Sequence, residues 1–263
     1  MLPIGKLIGH RQTGRARLRE RAWETPIKHT PITPAFGALI EGIDVHRLRQ
    51  PALRQLYELW QRHQLLVLRG MRLGGDDLVE FAERVGEVDG LVADAPCETR
   101  WHADLAAARR PPLACMLRAT EVPAGGGCTW FASLPAALRC MPTELAARLR
   151  WLEMQHGPTL HPIVVMQPET GEPTLFLGDR QGARIDGLPT PESERLLNII
   201  WSYATAIPVT LAHRWQPGDV VLWNNLTVMH RHDAVPKGQS RSLQRVRFKG
   251  RYTLAAPIQK EAA

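Results

Sequence analysis

No apolar run in these 263 residues approaches the roughly 18 that a helix needs to cross a bilayer. The N-terminus also lacks the continuous apolar core of a secretory signal. The expected compartment is therefore the cytoplasm, with no membrane partner. Cysteine is scarce and ungrouped: Cys97, Cys115, Cys128 and Cys140 show no Cys-x-x-Cys spacing, which excludes a zinc knuckle or a disulfide framework. They are expected to be reduced, mostly buried small residues. There is no internal repeat, and residues 30–255 contain no low-complexity linker. The 21 glycines and 21 prolines are dispersed, which favours many turns within one domain over two domains with a hinge. The expected organisation is a basic arm over residues 1–25 followed by a single domain over 26–257.

Positive charge is plentiful. Thirty-three Lys and Arg face 26 Asp and Glu, a formal net charge of +7, and Arg11, Arg15, Arg17, Arg19 and Arg21 crowd the N-terminus. That cluster raises the question of a nucleic-acid partner. It has few apolar residues and no period, so it reads as a loosely packed arm rather than a docking element. A positive field that draws small dianionic ligands is the more economical use of the charge. The apolar content of 44% is ordinary for a globular chain.

Helical spacing appears in four places. Leu53, Leu56, Tyr57 and Trp60 follow Pro51, and Leu78, Val79, Phe81, Ala82 and Val85 follow Asp76-Asp77. Pro142-Thr143-Glu144 opens a third pattern with Leu145, Leu149 and Leu152 on one stripe. The fourth opens at Thr190-Pro191-Glu192, with Thr190 as N-cap and Pro191 in the first turn. The remainder reads as short β-rich runs, of which Val220–Trp223 and Val246–Phe248 are the clearest. A sheet-on-sheet jelly roll with helices outside fits this pattern.

The chemistry-bearing stretch is Trp101-His102-Ala103-Asp104, where an extended strand would point a His and an Asp the same way. A third ligand is available in His230, at the end of Trp223-Asn224-Asn225-Leu226-Thr227-Val228-Met229-His230. Two imidazoles and a carboxylate leave one face of a metal open, the ligand set of non-haem Fe(II) oxygenases. His232 competes for the distal place, because alternation puts it on the same face as His230 and periodicity does not choose between them.

The flanking segments extend the pattern. Val122-Pro123-Ala124-Gly125-Gly126-Gly127-Cys128-Thr129 is a Gly-rich turn leading to a hydroxyl, and Arg241 and Arg245 lie eleven and fifteen residues beyond His230. Thr33–Asp44, the Leu65–Gly70 strand, His161-Pro162, Pro168-Glu169-Thr170-Gly171 and Trp215-Gln216-Pro217-Gly218-Asp219 complete the series. From about Ile32 to Thr253 the chain resembles the taurine dioxygenase (TauD/TfdA-like) family of Fe(II)/2-oxoglutarate-dependent dioxygenases.

The resemblance implies a mainly β fold with flanking helices (α+β), a double-stranded β-helix of the jelly-roll, cupin-like kind. It implies Fe(II) held by His102, Asp104 and His230, with 2-oxoglutarate and O2 as co-substrates. Arg241 is then the anchor for the distal carboxylate of 2-oxoglutarate, since a guanidinium grips a carboxylate through two parallel hydrogen bonds, and the Thr129 hydroxyl donates to the same group. Arg245 would hold the acid group of a small carboxylate- or sulfonate-bearing substrate, or else pair with an internal carboxylate such as Asp219 or Glu41. The implied reaction is oxidation, most simply hydroxylation, of a C–H bond with release of succinate and CO2. A carboxylate at position 104 argues for oxygenation, desaturation or ring closure over halogenation.

Two positions depart from the family pattern. Asn224 stands where an Asp is common, and Cys128 stands where a Gly-Gly-Asp-Thr turn has its Asp. They are the best support for the alternative of a degenerate, non-catalytic jelly-roll protein that binds an anionic ligand or nucleic acid. A zinc hydrolase on the same three ligands would leave Thr129 and Arg241 without work. Residues 86–99 are expected to form a lid and substrate-contact loop. A homo-oligomer is compatible with the resemblance, although no surface stripe specifies one.

Overall fold

Apolar side chains that alternate between strand faces build two opposed sheets, with helices packed on their outer sides. The computed structural model describes residues 26–74, 76–92, 98–122, 127–235 and 237–257, so the basic arm of residues 1–25 and Cys97 lie outside the described residues. The first half contains β1 (His29–Pro31), β2 (Ala38–Glu41), α1 (Gln50–His63), β3 (Leu65–Arg69), α2 (Asp77–Val85), β4 (Val88–Val92), β5 (Ala114–Glu121) and β6 (Thr129–Ser133). Next come α3 (Leu134–Cys140), α4 (Thr143–Leu149), β7 (Glu153–His156), β8 (Thr159–Pro162), β9 (Val164–Met166), β10 (Pro173–Leu175) and β11 (Arg184–Ile185). The chain continues through α5 (Thr190–Ala204), β12 (Thr210–His213), β13 (Val220–Asn224), β14 (Val228–His232) and β15 (Ser242–Phe248).

The major sheet has seven strands in the order β1-β2-β3-β13-β5-β15-β4, and the facing minor sheet has the order β12-β6-β14. Between them lies a core of Leu65, Val67, Leu117, Val221 and Trp223 from the major sheet and Phe131, Leu211 and Val228 from the minor one. Their sequence neighbours turn outward. Leu66, Met116, Leu222 and Val246 meet α1 and α2, while Ala132 and Met229 meet the helices on the other side. This is the period-two alternation of a two-sheet β fold covered by helices. The hairpin β7–β8 and strand β11 form a small sheet, and β9 pairs with β10.

Several expectations need adjustment. The third helical pattern stops at Leu149, because Leu152 leaves the helix and its carbonyl pairs with Ile163 ahead of β7. Thr190 is the first residue of α5 rather than its cap; Pro189 precedes it and no side chain caps the helix. Helix α3, capped by the Ser133 hydroxyl on the Ala136 amide, carries an unbroken apolar run that conceals its period. Part of the expected lid, Val88–Val92, is an edge strand paired with β15. Of the described cysteines only Cys115 is buried, whereas Cys128 is half-buried and Cys140 exposed.

One buried carboxylate fastens the two sheets. Asp219, in the turn before β13, accepts from Arg69 Nε at 3.2 Å and from the Gln216 amide at 3.0 Å. His213 Nε2 on the minor sheet lies 3.2 Å from it, though out of line for a good hydrogen bond. Burial alone raises the Asp219 carboxyl, but His213, Arg69 and the Gln216 amide outweigh it and hold the group below its ordinary value. Its stabilisation is therefore complete above the unfolded-state pKa of about 3.9 and is lost as pH falls through the depressed folded-state value. Asp219→Asn is expected to cost about 2 kcal/mol at neutral pH, with the gap to wild type closing in acid. Denaturant titrations at neutral and acidic pH check this; an unchanged gap would remove the charge from the account.

Candidate metal centre and adjoining cavity

His102 reaches the site through a single β-bridge rather than the extended strand that its spacing suggests. Its amide donates to the His230 carbonyl at 3.0 Å, and the His230 amide returns the bond at 2.9 Å. The bridge adds one residue to the edge of the minor sheet beside β14 and sets the two side chains opposite each other. Their ring centroids lie 4.3 Å apart. Beyond Asp104 the chain turns at once, with Leu105 in the left-handed region at φ 49°. Asn225 holds that turn. Its Oδ1 accepts from the Asp104 amide at 2.8 Å, and its Nδ2 donates to the carbonyls of Asp104 at 2.9 Å and Pro112 at 3.1 Å.

His102, Asp104 and His230 are all buried, and one candidate ligand atom from each lies within 4.8 Å of the others. His102 Nδ1 donates to the Arg100 carbonyl at 2.8 Å, which leaves Nε2 as the free ring nitrogen. That Nε2 lies 3.6 Å from Asp104 Oδ1 and 3.1 Å from Glu98 Oε2, without hydrogen-bond alignment. Burial disfavours the charged imidazole, but Asp104, the Arg100 carbonyl and Glu98 prevail and raise the His102 pKa. Neither ring nitrogen of His230 has a partner, and burial next to His102 holds its pKa well below the ordinary value. A fully buried imidazole with both nitrogens idle is costly in an apoprotein, and a metal ion would satisfy one of the two. The two imidazoles and the carboxylate therefore fit a divalent metal by geometry and by donor chemistry.

Asp104 is the most heavily tied group in the cluster. Arg245 Nη1 donates to Oδ1 at 2.9 Å, and the Cys115 thiol donates to Oδ2 at 3.0 Å. Burial by itself raises the carboxyl, yet His102, His230, Arg245 and Cys115 hold it far below the ordinary range. The internal partner of Arg245 is thus Asp104, and not Asp219 or Glu41. Burial and the adjacent Asp104 charge push the Cys115 thiol up, so it remains a protonated donor.

The other expected residues gather around His232. Thr129 Oγ1 accepts from Trp215 Nε1 at 2.8 Å and meets His232 Nδ1 at 2.9 Å. Burial, followed by Arg241 and Arg245, lowers the His232 pKa to about 3, so the ring is neutral and hydrogen-bonded to the Thr129 hydroxyl. His232 is thereby engaged with Thr129, and His230 is the imidazole that clusters with His102 and Asp104. Arg241 stands just before β15, donating to the carbonyls of Gly127 at 2.8 Å and Asp233 at 3.3 Å. A cavity of about 410 Å³ opens beside the cluster; His102, Asp104 and Arg245 line it, whereas Thr129 and Arg241 do not. The two departures from the family pattern are built into the frame. Asn224 Oδ1 accepts from the Leu226 amide at 3.0 Å, and the Cys128 carbonyl from the Asp233 amide at 2.9 Å.

Sequence reasoning missed Asn225, Cys115, Glu98 and the cavity residues His156 and Arg247. Asn225 lay in the quoted Trp223–His230 segment, and Arg247 follows Arg245 by one strand repeat. Cys115 carries no sequence signal, because its role depends on the pairing of β5 with β13 and β15.

Residues 28–247 match the model of the taurine catabolism dioxygenase TauD, TfdA family. Among curated relatives, the chain is 27% identical to the (S)-phenoxypropionate/alpha-ketoglutarate-dioxygenase of Delftia acidovorans, over 79% of this chain and 90% of the relative. It is 28% identical to an alpha-ketoglutarate-dependent sulfate ester dioxygenase of Pseudomonas putida, over 76% and 82% respectively. Among solved structures, a taurine dioxygenase from Burkholderia xenovorans superposes with a TM-score of 0.80 at 27% identity, covering 90% of this chain and 96% of that one.

Asn225→Ala strands an amide and two carbonyls that are otherwise paired in the interior. It is expected to lower stability by about 2 kcal/mol. A wild-type-like denaturation midpoint would show that the Asp104 turn holds without it.

Proposed function

The chain belongs to the TauD/TfdA family of dioxygenases, and from that premise we propose that His102, Asp104 and His230 bind Fe(II) for the 2-oxoglutarate-dependent oxidation of a C–H bond in a small, acid-bearing metabolite. The observation that carries this reading is His230, fully buried with both ring nitrogens unpartnered beside His102 and Asp104. When bound, Fe(II) with 2-oxoglutarate and O2 supplies the oxidising power that inserts one oxygen atom into the substrate, the other leaving in succinate as CO2 is released. The protein's share is to position the C–H bond and to exclude water.

The residues divide that work. The Arg100 carbonyl fixes the His102 tautomer, so Nε2 is the nitrogen offered to the metal. Asn225 fixes the backbone of Asp104, and Cys115 occupies Oδ2, turning Oδ1 toward the imidazoles. Phe131 and Trp223 pack against His230 and shield it from solvent. Arg245 offsets the Asp104 charge until a metal takes that place. Arg241 is the anchor for the distal carboxylate of 2-oxoglutarate. Thr129, hydrogen-bonded to His232 and Trp215, supplies a hydroxyl to the same carboxylate when His232 Nδ1 is the donor of their shared bond.

Anaerobic addition of Fe(II) and 2-oxoglutarate is expected to produce the weak visible charge-transfer band of a chelated 2-oxo acid. Asp104→Ala should abolish it, and Arg241→Ala should weaken 2-oxoglutarate binding roughly ten- to a hundredfold. No band in folded wild-type protein would overturn the reading.

The pH dependence of metal binding follows from His102. Its pKa lies above the ordinary imidazole value, whereas Asp104 is ionised and His230 neutral at neutral pH. Metal must displace the His102 proton, so affinity should rise with pH through the region above about 6.5 and then level off. Calorimetry in buffers of different ionisation enthalpy should find about one proton released per metal near pH 6 and fewer near pH 8. Release that does not vary with pH would count against His102 as the displaced group.

A further inference from the structure

Behind the ligand cluster, the outer face of the minor sheet carries a row of three side chains that the proposed reaction does not use. Register sets Arg231 directly opposite Trp130, and the antiparallel bridge between His102 and His230 sets Trp101 opposite Arg231 on the other side. Each of the three sits one residue from the inner row of His102, His230 and Phe131, so alternation turns it to the other face. Trp101 accordingly packs against the core cluster that contains Ala132 and Met229. The Arg231 guanidinium carbon lies over both indoles, 5.5 Å from the Trp101 ring centroid and 5.2 Å from that of Trp130, so one cation serves two aromatic faces. Asp233 orients the stack: its Oδ1 accepts from Arg231 Nη1 and from Trp130 Nε1, each at 3.0 Å. None of these four residues lines the cavity.

The four residues are unequal in what holds them. Trp130 and Arg231 belong to paired strands of the sheet, and the Asp233 amide donates to the Cys128 carbonyl. Trp101 alone belongs to the segment that carries His102. That segment meets β14 through three backbone hydrogen bonds, the two of the bridge and one from the His232 amide to the Glu98 carbonyl. Three net hydrogen bonds do not offset the entropy of ordering the stretch from Glu98 to Asp104, so side chains must supply the difference. Asn225 does so after the bridge, at Asp104. The Arg231 stack does so before it, from the face turned away from the cavity. The side chains of Arg231 and Asp233 are 28% and 36% exposed, so removing the cation strands no buried charge.

We infer that Arg231 is a positioning residue for the metal ligand His102: stacked between Trp101 and Trp130, it keeps the bridge closed and the His102 imidazole beside His230 before a metal binds. This rests on the reading given under Proposed function.

The test compares the full chain, freed of metal, with Arg231→Met, which keeps a straight apolar stem and loses the cation, and with Arg231→Lys, which keeps the charge and loses the planar face. Amide hydrogen exchange is read first. In Arg231→Met the His102 and His230 amides should exchange roughly five- to thirtyfold faster, while the amides of β6 that pair with β12 keep their wild-type rates. Fe(II) affinity, measured by anaerobic calorimetry on the folded protein, should fall, by no more than that factor. Arg231→Lys should lie between the two and carries the test if Arg231→Met does not fold. In Trp101→Leu, which lacks the other half of the contact, adding Arg231→Met should change little. Wild-type exchange at the bridge in both Arg231 variants overturns the inference, as does equal acceleration of the bridge and the β6 amides. Faster exchange at the bridge with an unchanged Fe(II) affinity also overturns it, because Arg231 would then serve the fold alone. If the wild type binds no Fe(II), the functional reading falls and takes this inference along.

Discussion

The two backbone hydrogen bonds between His102 and His230 are the constraint on which the site depends. They join a segment with little regular structure to the edge of the minor sheet, and they do so at the two residues whose rings must meet. A bridge this short gives little stability of its own, so neighbouring contacts hold it in place. The Glu98 carbonyl accepts from the His232 amide before it, and Asn225 clamps the turn after it. A site mounted in this way inherits the rigidity of β14 and its pairing with β6, while the exit at Leu105 frees the chain to line the cavity.

Electrostatics impose a second order on the same residues. A carboxylate as buried as Asp104 requires compensation, and here it comes from a guanidinium, a thiol and two imidazoles rather than from one strong partner. With compensation distributed in this way, each contact to the carboxylate can yield separately. Asp219 makes the contrast. Its partners Arg69 and His213 come from opposed sheets, and no cavity residue is among them, so its charge serves the fold alone.

How much of this was legible follows from the range of each interaction. The grouping of His102, Asp104 and His230 was legible because His-x-Asp and a distal His are a recognisable donor pattern, and the helices around Leu53–Trp60 and Leu78–Val85 because periodicity is a local property. The choice between His230 and His232 was not legible, since both lie on one face of one strand. The structure groups His230 with His102 and Asp104 and pairs His232 with Thr129, one β-pairing away. The partner of Arg245 was equally hidden: Asp219, a reasonable candidate by sequence, is occupied from β3 by Arg69, and Asp104 is reached only once β15 lies beside β5. Cys115 looked like a small apolar residue, which it is by burial; its thiol matters through a contact 11 residues back in the chain, which only the packing creates.

The division between ligand cluster and cavity wall also bears on function. The relatives named above are described as acting on a phenoxypropionate, on a sulfate ester and on taurine, at 27–28% identity to this chain. Such spread within one fold requires that reaction and specificity reside in parts that vary independently. In this chain the cluster rests on a sheet edge held by backbone hydrogen bonds, whereas the cavity wall comes from the β7–β8 hairpin, the end of β15 and the segment around Asp179. His156 illustrates the wall. Its Nε2 is buried without a partner, and Gly178 packs so closely that a Cβ there would fall 2.5 Å from His156 Nδ1. A glycine that admits an imidazole to a cavity wall leaves the sheets untouched, and that is the kind of change by which a wall is altered while the chemistry behind it is kept.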